Sequence, residues 1–450
     1  MSDRKQDSVS WWDTFFHVTS RGSTLHTELL AGFSTYLSLA YILVVNPAIL
    51  SKGGFDASSV LFATAIASGL SSILMGVWAR LPFVLAPGLE MNGFVAFSAI
   101  GVMGLSVGQS LGAVFWSGVL CILLTVLPIR ERIIHSLPLG LQLNLGLSVG
   151  AFVVTIGMFL SKVVIFDNGL PIGVGSFTSP EAIALFIGLS VTLLLRSKRL
   201  FSHPLWSAAS FLLAICASTA WCRFFGVASD APPKVSGAML DGLGALSLFP
   251  FTMPSVFTVF LVLFLIDFYG SIGKFIGLTT ATNLRSKDST LPGLEKAMYV
   301  DGIGTVGGAV IGTTSIITYV ESAIGIHAGG RTGIVAVVCG VLMLTSLVFT
   351  PIIALVPAVA TSGVLVFVGY ALLPREQVTS GEFGRFDLAV GVVMAAISFI
   401  TFSLDKAMLI GFGAYSLRPL ITRDGAINPY LFGSFLLLLA SVIVQVLFRV

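Results

Sequence analysis

Apolar residues in this chain gather in unbroken stretches, and neither the period of a surface helix nor the alternation of a half-buried strand describes them. The stretches run to about 17–25 residues, the length that crosses roughly 30 Å of hydrocarbon as helix. They predict spans at 27–50, 57–79, 83–101, 108–128, 141–160, 180–195 and 205–223, then at 256–278, 297–311, 314–326, 332–351, 355–372, 386–402 and 430–449. Residues 403–420 read either as a short helix or as a re-entrant piece. The expected fold class is therefore all-α, a polytopic membrane protein of fourteen crossings.

The apolar pattern lapses longest at 224–255, which holds Pro232, Pro233, Gly242, Gly244 and Pro250. This divides the chain into a polar segment 1–26, a first half 27–223, a connection 224–255 and a second half 256–450. In each half the third span is short and interrupted by glycine: LPFVLAPGLEMNG within 83–101 and TSIITYVESAIG within 314–326. Paired short segments at equivalent places point to a repeat built around discontinuous helices, and seven spans per half make the second repeat inverted relative to the first.

The local chemistry of both interruptions suits an extended piece feeding a half-helix. Pro87 lacks an amide hydrogen and disfavours helix in the residue before it. Gly88 and Gly93 allow close backbone approach. In the second segment Gly312 precedes Thr313, Thr314, Ser315, Thr318 and Ser322, whose hydroxyls can satisfy exposed backbone groups or line a polar pocket. Irregular backbone at that depth is tolerated only inside protein or beside a cavity. The ordinary alternatives are a proline kink in the first segment and hydroxyl packing between helices in the second.

Charge refines this picture by its location. Only 10% of residues are charged while 56% are hydrophobic, against about a quarter charged in soluble domains. A net charge of +3 gives no reason to expect a nucleic-acid partner. Basic residues follow the even-numbered spans: Arg80, then Arg130 and Arg132, then Arg196, Lys198 and Arg199, then Arg285, Lys287 and Lys296, then Arg331, then Arg375 and Arg385. The opposite loops hold only Lys52, Lys162, Arg223 and Lys234. By the positive-inside rule the N-terminus is expected in the cytoplasm; Arg418 and Arg423 fit that side if 403–420 does not cross. Met1 to Ser10 lack the apolar core of a signal peptide, so the first span is expected to be retained. Four cysteines without CxxC spacing suggest neither a metal site nor a disulfide framework.

Ionisable residues deep in apolar runs are few: Glu90, Asp267, Lys274 and Glu321, with Asp405 and Lys406 at the edge of the ambiguous stretch. Each needs a partner, a proton or a polar cavity. A structural pair such as Asp267 with Lys274 is the plainest solution. The sharper one uses the fact that Glu90 and Glu321 fall in the two interrupted segments. Half-helices aiming their positive ends at one midplane site would make a substrate pocket. There Glu321 can accept from a ligand N–H edge and exchange a proton, Asp267 can relay, and Phe94, Phe268 and Tyr269 can stack on a flat ligand. With 35 phenylalanines, any single ring is more often lipid-facing or core. No nucleotide-binding loop is present, so an ion gradient is the expected energy source, and no cofactor or metal is expected.

The segments TELLAGFSTYLSLAYILVVNP (Thr27 to Pro47), Ala86-Pro87-Gly88 with Asn92, and YVESAIGIHAGGRTG (Tyr319 to Gly333) make the chain resemble the nucleobase:cation symporter-2 superfamily, and within it the azaguanine-resistance-like branch of purine permeases. The resemblance covers nearly the whole length. It implies a seven-plus-seven inverted repeat with a core domain (approximately 27–128 and 256–351) and a gate domain (approximately 141–223 and 355–450). It implies proton-coupled uptake of a purine base by elevator-like alternating access, in the cell membrane, often as a homodimer surrounded by lipid. The family's substrate-binding glutamate falls on Glu321 and its third-helix asparagine on Asn92; Thr318 and Ser322 flank that glutamate.

Two departures stand out. The branch reads Asp-x-Phe-Asp-Thr in its eighth helix, whereas this chain reads Asp267-Phe268-Tyr269-Gly270-Ser271. It reads APGMGLNA in the third, where this chain has Glu90 within Ala86-Pro87-Gly88-Leu89-Glu90-Met91-Asn92-Gly93, and Lys274 stands where threonine is usual. Glu90 is a candidate to replace the absent carboxylate. Two other readings stay open: a transporter of a different polar, cationic or anionic solute on the same scaffold, and a non-transporting membrane receptor or scaffold. An enzyme is not expected, for want of a nucleophile–base pair or a metal cluster.

Overall fold

The computed structural model describes residues 11–127, 137–167, 170–197, 199–201, 203–227, 240, 242–251, 253–280, 293–353, 355–373, 383–401, 403–422 and 428–447. Met1 to Ser10, the loop residues Arg130, Arg132, Lys198, Lys234, Arg285, Lys287, Arg375 and Arg423, and Pro232 and Pro233 of the connection lie outside them.

A short helix α1 (Trp11–Phe16) precedes the first span. That span runs Leu25–Gly53 and tightens at Ala40 and Tyr41, giving α2 (Leu25–Leu39) and α3 (Ile42–Leu50). α4 (Ala57–Leu74) starts where the Asp56 carboxylate accepts the Ser59 amide at 2.8 Å, a cap that satisfies one of the orphan donors of a helix start. It ends in a π-turn, Met75–Ala79. The third segment is a strand, β1 (Leu85–Pro87), then a short helix, α5 (Leu89–Gly93), that loosens into a π-helical stretch, Phe94–Val102. α6 (Val107–Val126) opens on a Ser106–Gln109 capping box. α7 (Leu139–Leu160) leads into an antiparallel hairpin, β2 (Val164–Asp167) and β3 (Leu170–Val174), which the apolar runs did not foreshadow. α8 (Pro180–Arg196) and α9 (Pro204–Phe224) complete the first half, each with proline in its first turn, where no amide is needed.

The second half repeats the plan. α10 (Pro254–Thr280) and α11 (Leu294–Ile311) precede a strand, β4 (Ile316–Thr318), and a short helix, α12 (Ser322–His327). α13 (Ile334–Thr345) continues through a 3-10 turn into α14 (Thr350–Ile353). α15 (Ser362–Ala371), α16 (Arg385–Thr401), α17 (Leu404–Thr422) and α18 (Pro429–Leu447) follow. The stretch left open at 403–420 is thus helix. Asp405, at its start, is buried and accepts from the Ser403 hydroxyl, whereas Lys406 is exposed.

Among the described residues seven helices are long and apolar enough to cross a membrane unaided. The helices sort into two packed groups. α2, α4 and α13 lie together, as do α6, α10 and α11, with α4 also against α11. A second group joins α7 to α15, α16 and α17, α17 to α18, and α8 to α9 and α15. The groups meet where α2 touches α9, α5 touches α7, and α10 touches α18. A buried carboxylate ties the first span to the region after α12: Glu28 accepts the amides of Arg331 (2.8 Å) and Thr332 (3.1 Å) and the Thr332 hydroxyl (2.8 Å). Two of the sequence segments that carry the family resemblance therefore meet in space.

Candidate functional site

The two interrupted segments meet. β1 and β4 pair antiparallel, with Leu85 opposite Thr318, Ala86 opposite Ile317 and Pro87 opposite Ile316. The pairing gives extended backbone inside the membrane the partners it cannot obtain from lipid. Flanking bonds extend it: the Gly88 amide donates to Ser315 O (3.0 Å) and the Tyr319 amide to Val84 O (2.9 Å). Side chains complete the tie. The Leu85 amide donates to Ser72 Oγ at 2.9 Å, and the Val84 amide to Ser322 Oγ at 3.0 Å. Gly312, at φ +107°, ends α11 in the left-handed region where glycine is favoured and turns the chain toward β4.

Each strand delivers a half-helix with its acidic residue at the start. Gly88 caps α5, so Glu90 lies in the first turn; Glu321 immediately precedes α12. Both carboxylates are buried, at 5% and 6% exposure. Carboxylates are favoured near helix N-termini, yet the two are partnered differently. Glu90 Oε1 receives the Lys274 ammonium at 2.9 Å, so the partner of Lys274 is Glu90 on the facing half-helix and not Asp267 on its own helix. The same ammonium lies 5.8 Å from the ring centre of Tyr319. Glu321 Oε1 accepts the Tyr41 hydroxyl at 3.0 Å, and its Oε2 has no partner among the described residues. The Tyr319 hydroxyl in turn donates to Pro87 O at the end of β1, so Lys274, Glu90 and Tyr319 form one cluster beside the strand pair.

Asn92 accepts the Thr314 hydroxyl through Oδ1, while its Nδ2 is buried and finds no partner among the described residues. The Thr318 and Ser315 hydroxyls are likewise unpaired. Ser322 is engaged in the backbone: besides accepting from Val84 it donates to Tyr319 O at 2.7 Å. Asp267 accepts from Ser271 (3.2 Å) and Thr305 (3.1 Å), and Thr305 shares its proton with Ile316 O of β4 at 3.2 Å. Asp267 thus stands behind the strand pair. Phe94 is fully buried on the π-helical continuation of α5. Phe268 packs between Phe264 and Tyr269 at 5.3 and 5.2 Å. Tyr269 turns outward from this group, its hydroxyl 2.7 Å from Ser434 of α18 and its ring 4.8 Å from Phe412 of α17. A Cβ built on Gly270 would meet nothing within 4 Å, so the position opens onto space.

Three buried groups that matter here are absent from the candidates drawn from sequence. Tyr41 is one aromatic residue in a long apolar run, and its partner lies 280 positions away. Asp301, inside a predicted span, accepts the Thr318 amide at 3.3 Å and so anchors β4. Glu28 sits at the predicted edge of the first span, where a solvated charge is the ordinary expectation. For Asp301 the carboxylate within an apolar run was a usable signal; for Tyr41 there was none.

The fold resembles solved transporters. The transmembrane domain of a cyanobacterium bicarbonate transporter, BicA, superposes with a TM-score of 0.64 at 15% identity, covering 83% of this chain and 95% of that one. Murine Slc26a9, an anion transporter in the inward-facing state, gives 0.63 at 12% identity, covering 94% and 74%. At such identities the likeness establishes the seven-plus-seven inverted-repeat fold alone. Sequence relatives are nearer. The adenine permease AdeQ of Escherichia coli (strain K12) is 33% identical over 412 residues, 90% of each chain. The guanine/hypoxanthine permease GhxP of Escherichia coli O157:H7 is 32% identical over 422 residues, 92% of each. The guanine/hypoxanthine permease PbuO of Bacillus subtilis (strain 168) is 28% identical over 411 residues, covering 89% of this chain and 93% of its own length. The Xan_ur_permease profile, described as "Permease family", matches residues 26–406, and with these relatives it makes the chain a member of the nucleobase:cation symporter-2 permeases, a membrane transporter and not an enzyme.

Proposed function

We propose that this permease takes up a purine base, coupled to proton entry, and binds it between the two half-helices. One observation carries the reading: at the crossing of β1 and β4 a buried acceptor, Glu321 Oε2, and a buried donor, Asn92 Nδ2, are left without partners among the described residues. Buried polar atoms are almost always paired in native proteins, so an unpaired acceptor and donor on facing half-helices are what a ligand carrying both functions would complete. A purine offers ring N–H groups to Glu321 and ring nitrogens or a carbonyl to Asn92. The ring of Tyr319 and the aromatic residues Phe94 and Phe268 give a flat heterocycle apolar surroundings. The names of the relatives, adenine and guanine/hypoxanthine permeases, support the same substrate class.

Proton coupling follows from the same atoms. A carboxylate that loses its ligand in an apolar site must find a proton or another charge. Asp267, joined through the shared Thr305 proton to the β4 backbone, is the proposed relay. Glu90 is paired with Lys274 and in this reading holds the site together. The group holding both half-helices corresponds to the proposed core (approximately 27–128 and 256–351), and that of α7, α8, α9 and α15 to α17 to the proposed gate (approximately 141–223 and 355–450). Movement of one past the other gives elevator-like alternating access. The loop charges support a cytoplasmic N-terminus in the cell membrane, and the family resemblance supports a homodimer.

The test is uptake of radiolabelled adenine, guanine, hypoxanthine and uracil into proteoliposomes with an imposed pH gradient. Saturable uptake of at least one purine is expected, accelerated by acid outside and collapsed by a protonophore. Absence of uptake and binding for every base overturns the substrate assignment; uptake indifferent to the gradient overturns the coupling.

A further inference from the structure

Arg196 ends α8. An arginine at the end of a membrane helix ordinarily extends its guanidinium to headgroups and water. This one turns into protein. Its guanidinium carbon lies 5.0 Å from the ring centre of Phe211 on α9 and 5.1 Å from that of Phe367 on α15, two rings that themselves meet at 5.8 Å. Such contacts hold a cation without neutralising it. Arg196 Nη1 is buried and finds no acceptor among the described residues.

The line of contact continues to the site. Phe211 meets Tyr41 edge-on at 5.1 Å, and the Tyr41 hydroxyl donates to Glu321 Oε1 at 3.0 Å. Tyr41 reaches Glu321 directly, and the Lys274 ammonium stands over the Tyr319 ring two residues before it. Lys274 is committed to Glu90 at 2.9 Å, so that pair is neutral as a unit. Among the described residues Glu321 has no cationic partner within ion-pair distance, and Arg196, on the facing group, has no carboxylate partner.

We propose that Arg196 is the counter-charge which the α8–α9–α15 group presents to Glu321 when no ligand is bound, so that the unloaded carrier can change sides. A loaded site satisfies Glu321 with ligand N–H groups. An empty one exposes a buried carboxylate to an apolar facing surface, which is costly unless a cation stands there. Arg196 acts on the unloaded step and touches no ligand; it is a positioning residue. The inference rests on the transport reading above, and its test separates the two.

The experiment compares net uptake of a purine into empty proteoliposomes with counterflow into vesicles preloaded with the same purine, for the unsubstituted protein and for R196Q, R196K and F211L. Net uptake requires return of the empty carrier, whereas counterflow does not. R196Q is expected to lower net uptake by about tenfold or more, the loss of one charge-assisted interaction, with counterflow within about twofold of the unsubstituted protein. R196K retains the charge without the planar stacking face and is expected to fall between. F211L leaves the cation but removes a ring that holds it, and lowers the net-to-counterflow ratio by a smaller factor. Equal losses in both modes, or an unchanged ratio in R196Q, overturn the proposal. If R196Q does not fold, R196K and F211L decide, and wild-type ratios in both overturn it. Counterflow by the unsubstituted protein tests the substrate reading separately: its absence speaks against purine and not against Arg196.

Discussion

Glu321 and Glu90 carry the same functional group at the starts of the two half-helices and differ in their company. Glu90 has an ammonium at 2.9 Å. Glu321 has one phenolic donor and an oxygen left open. The second arrangement is the one that suits a ligand, because a group already satisfied by protein gains little from a new partner. The substitution E321Q keeps an acceptor for Tyr41 and removes the negative charge. It is expected to leave the fold intact and to weaken purine binding by about tenfold to a hundredfold, the range of a hydrogen bond to a charged group. Equilibrium binding of radiolabelled purine to the detergent-purified variant measures this, and affinity equal to that of the unsubstituted protein removes Glu321 from the binding site. The identity of Glu321 as a candidate was legible in the sequence, since a carboxylate in an interrupted apolar segment has few structural uses. Tyr41 was not legible, because a hydroxyl donor from a separate span has no local signature.

The two strand–helix units show what an element can and cannot announce about itself. Pro87, Gly88 and Gly312 mark where helix is forbidden or expensive, and the breaks fall there. The register Leu85 to Thr318 is a property of the pair and of the helices that press the strands together, so neither segment encodes it alone. The same holds for the link between α10 and α5. Lys274 has Gly270 four residues before it, where an acidic residue would have been a helical partner, and the open space at Gly270 shows that nothing has replaced that group sterically. The lysine reaches across to Glu90 instead. K274M is expected to strand Glu90 as a buried, unpaired charge and to destabilise the protein by about 3–5 kcal/mol. The double variant K274M/E90Q removes both charges and is expected to recover most of that loss. Thermal unfolding in detergent of the two single variants and the double variant gives the comparison; a double variant no more stable than K274M contradicts the pairing.

At the scale of the molecule the proposed movement of one helix group past the other makes a prediction at the contact between them. The contact between α5 and α7 is close: a Cβ added to Gly93 would lie 2.6 Å from Ile156 Cδ1 and 2.7 Å from Phe152 Cε1. Both neighbours are side-chain ends, so the packing can yield, at about 1–3 kcal/mol for an overfilled contact. On the proposed alternating-access reading G93A is therefore expected to fold and bind purine with near-unchanged affinity while its maximal uptake rate falls several-fold, since the added methyl group would have to be accommodated at each passage. Binding and initial-rate uptake on the same preparation separate the two effects; a loss of affinity without a loss of rate places Gly93 at the ligand and not at the interface.

The number and position of the apolar runs, the two interruptions and the basic loops are one-dimensional properties. A span must be apolar over about 20 consecutive residues to be stable in lipid, and a break needs proline, glycine or hydroxyl residues at the break itself, so the chain determined these directly. The helix over 404–422 and the hairpin over 164–174 were less readable, because a charged helix start and short strands fall below the signal of a hydrocarbon span. Only the tertiary structure decided that Lys274 belongs to Glu90, that Glu28 holds the turn at Arg331 and Thr332, that Tyr41 serves Glu321, and that Arg196 lies inward between two rings. In a membrane each buried charge must find a partner, and the sequence states that requirement clearly. Which of several compatible partners meets it depends on helix rotation and packing between residues hundreds of positions apart, and no local pattern carries that information.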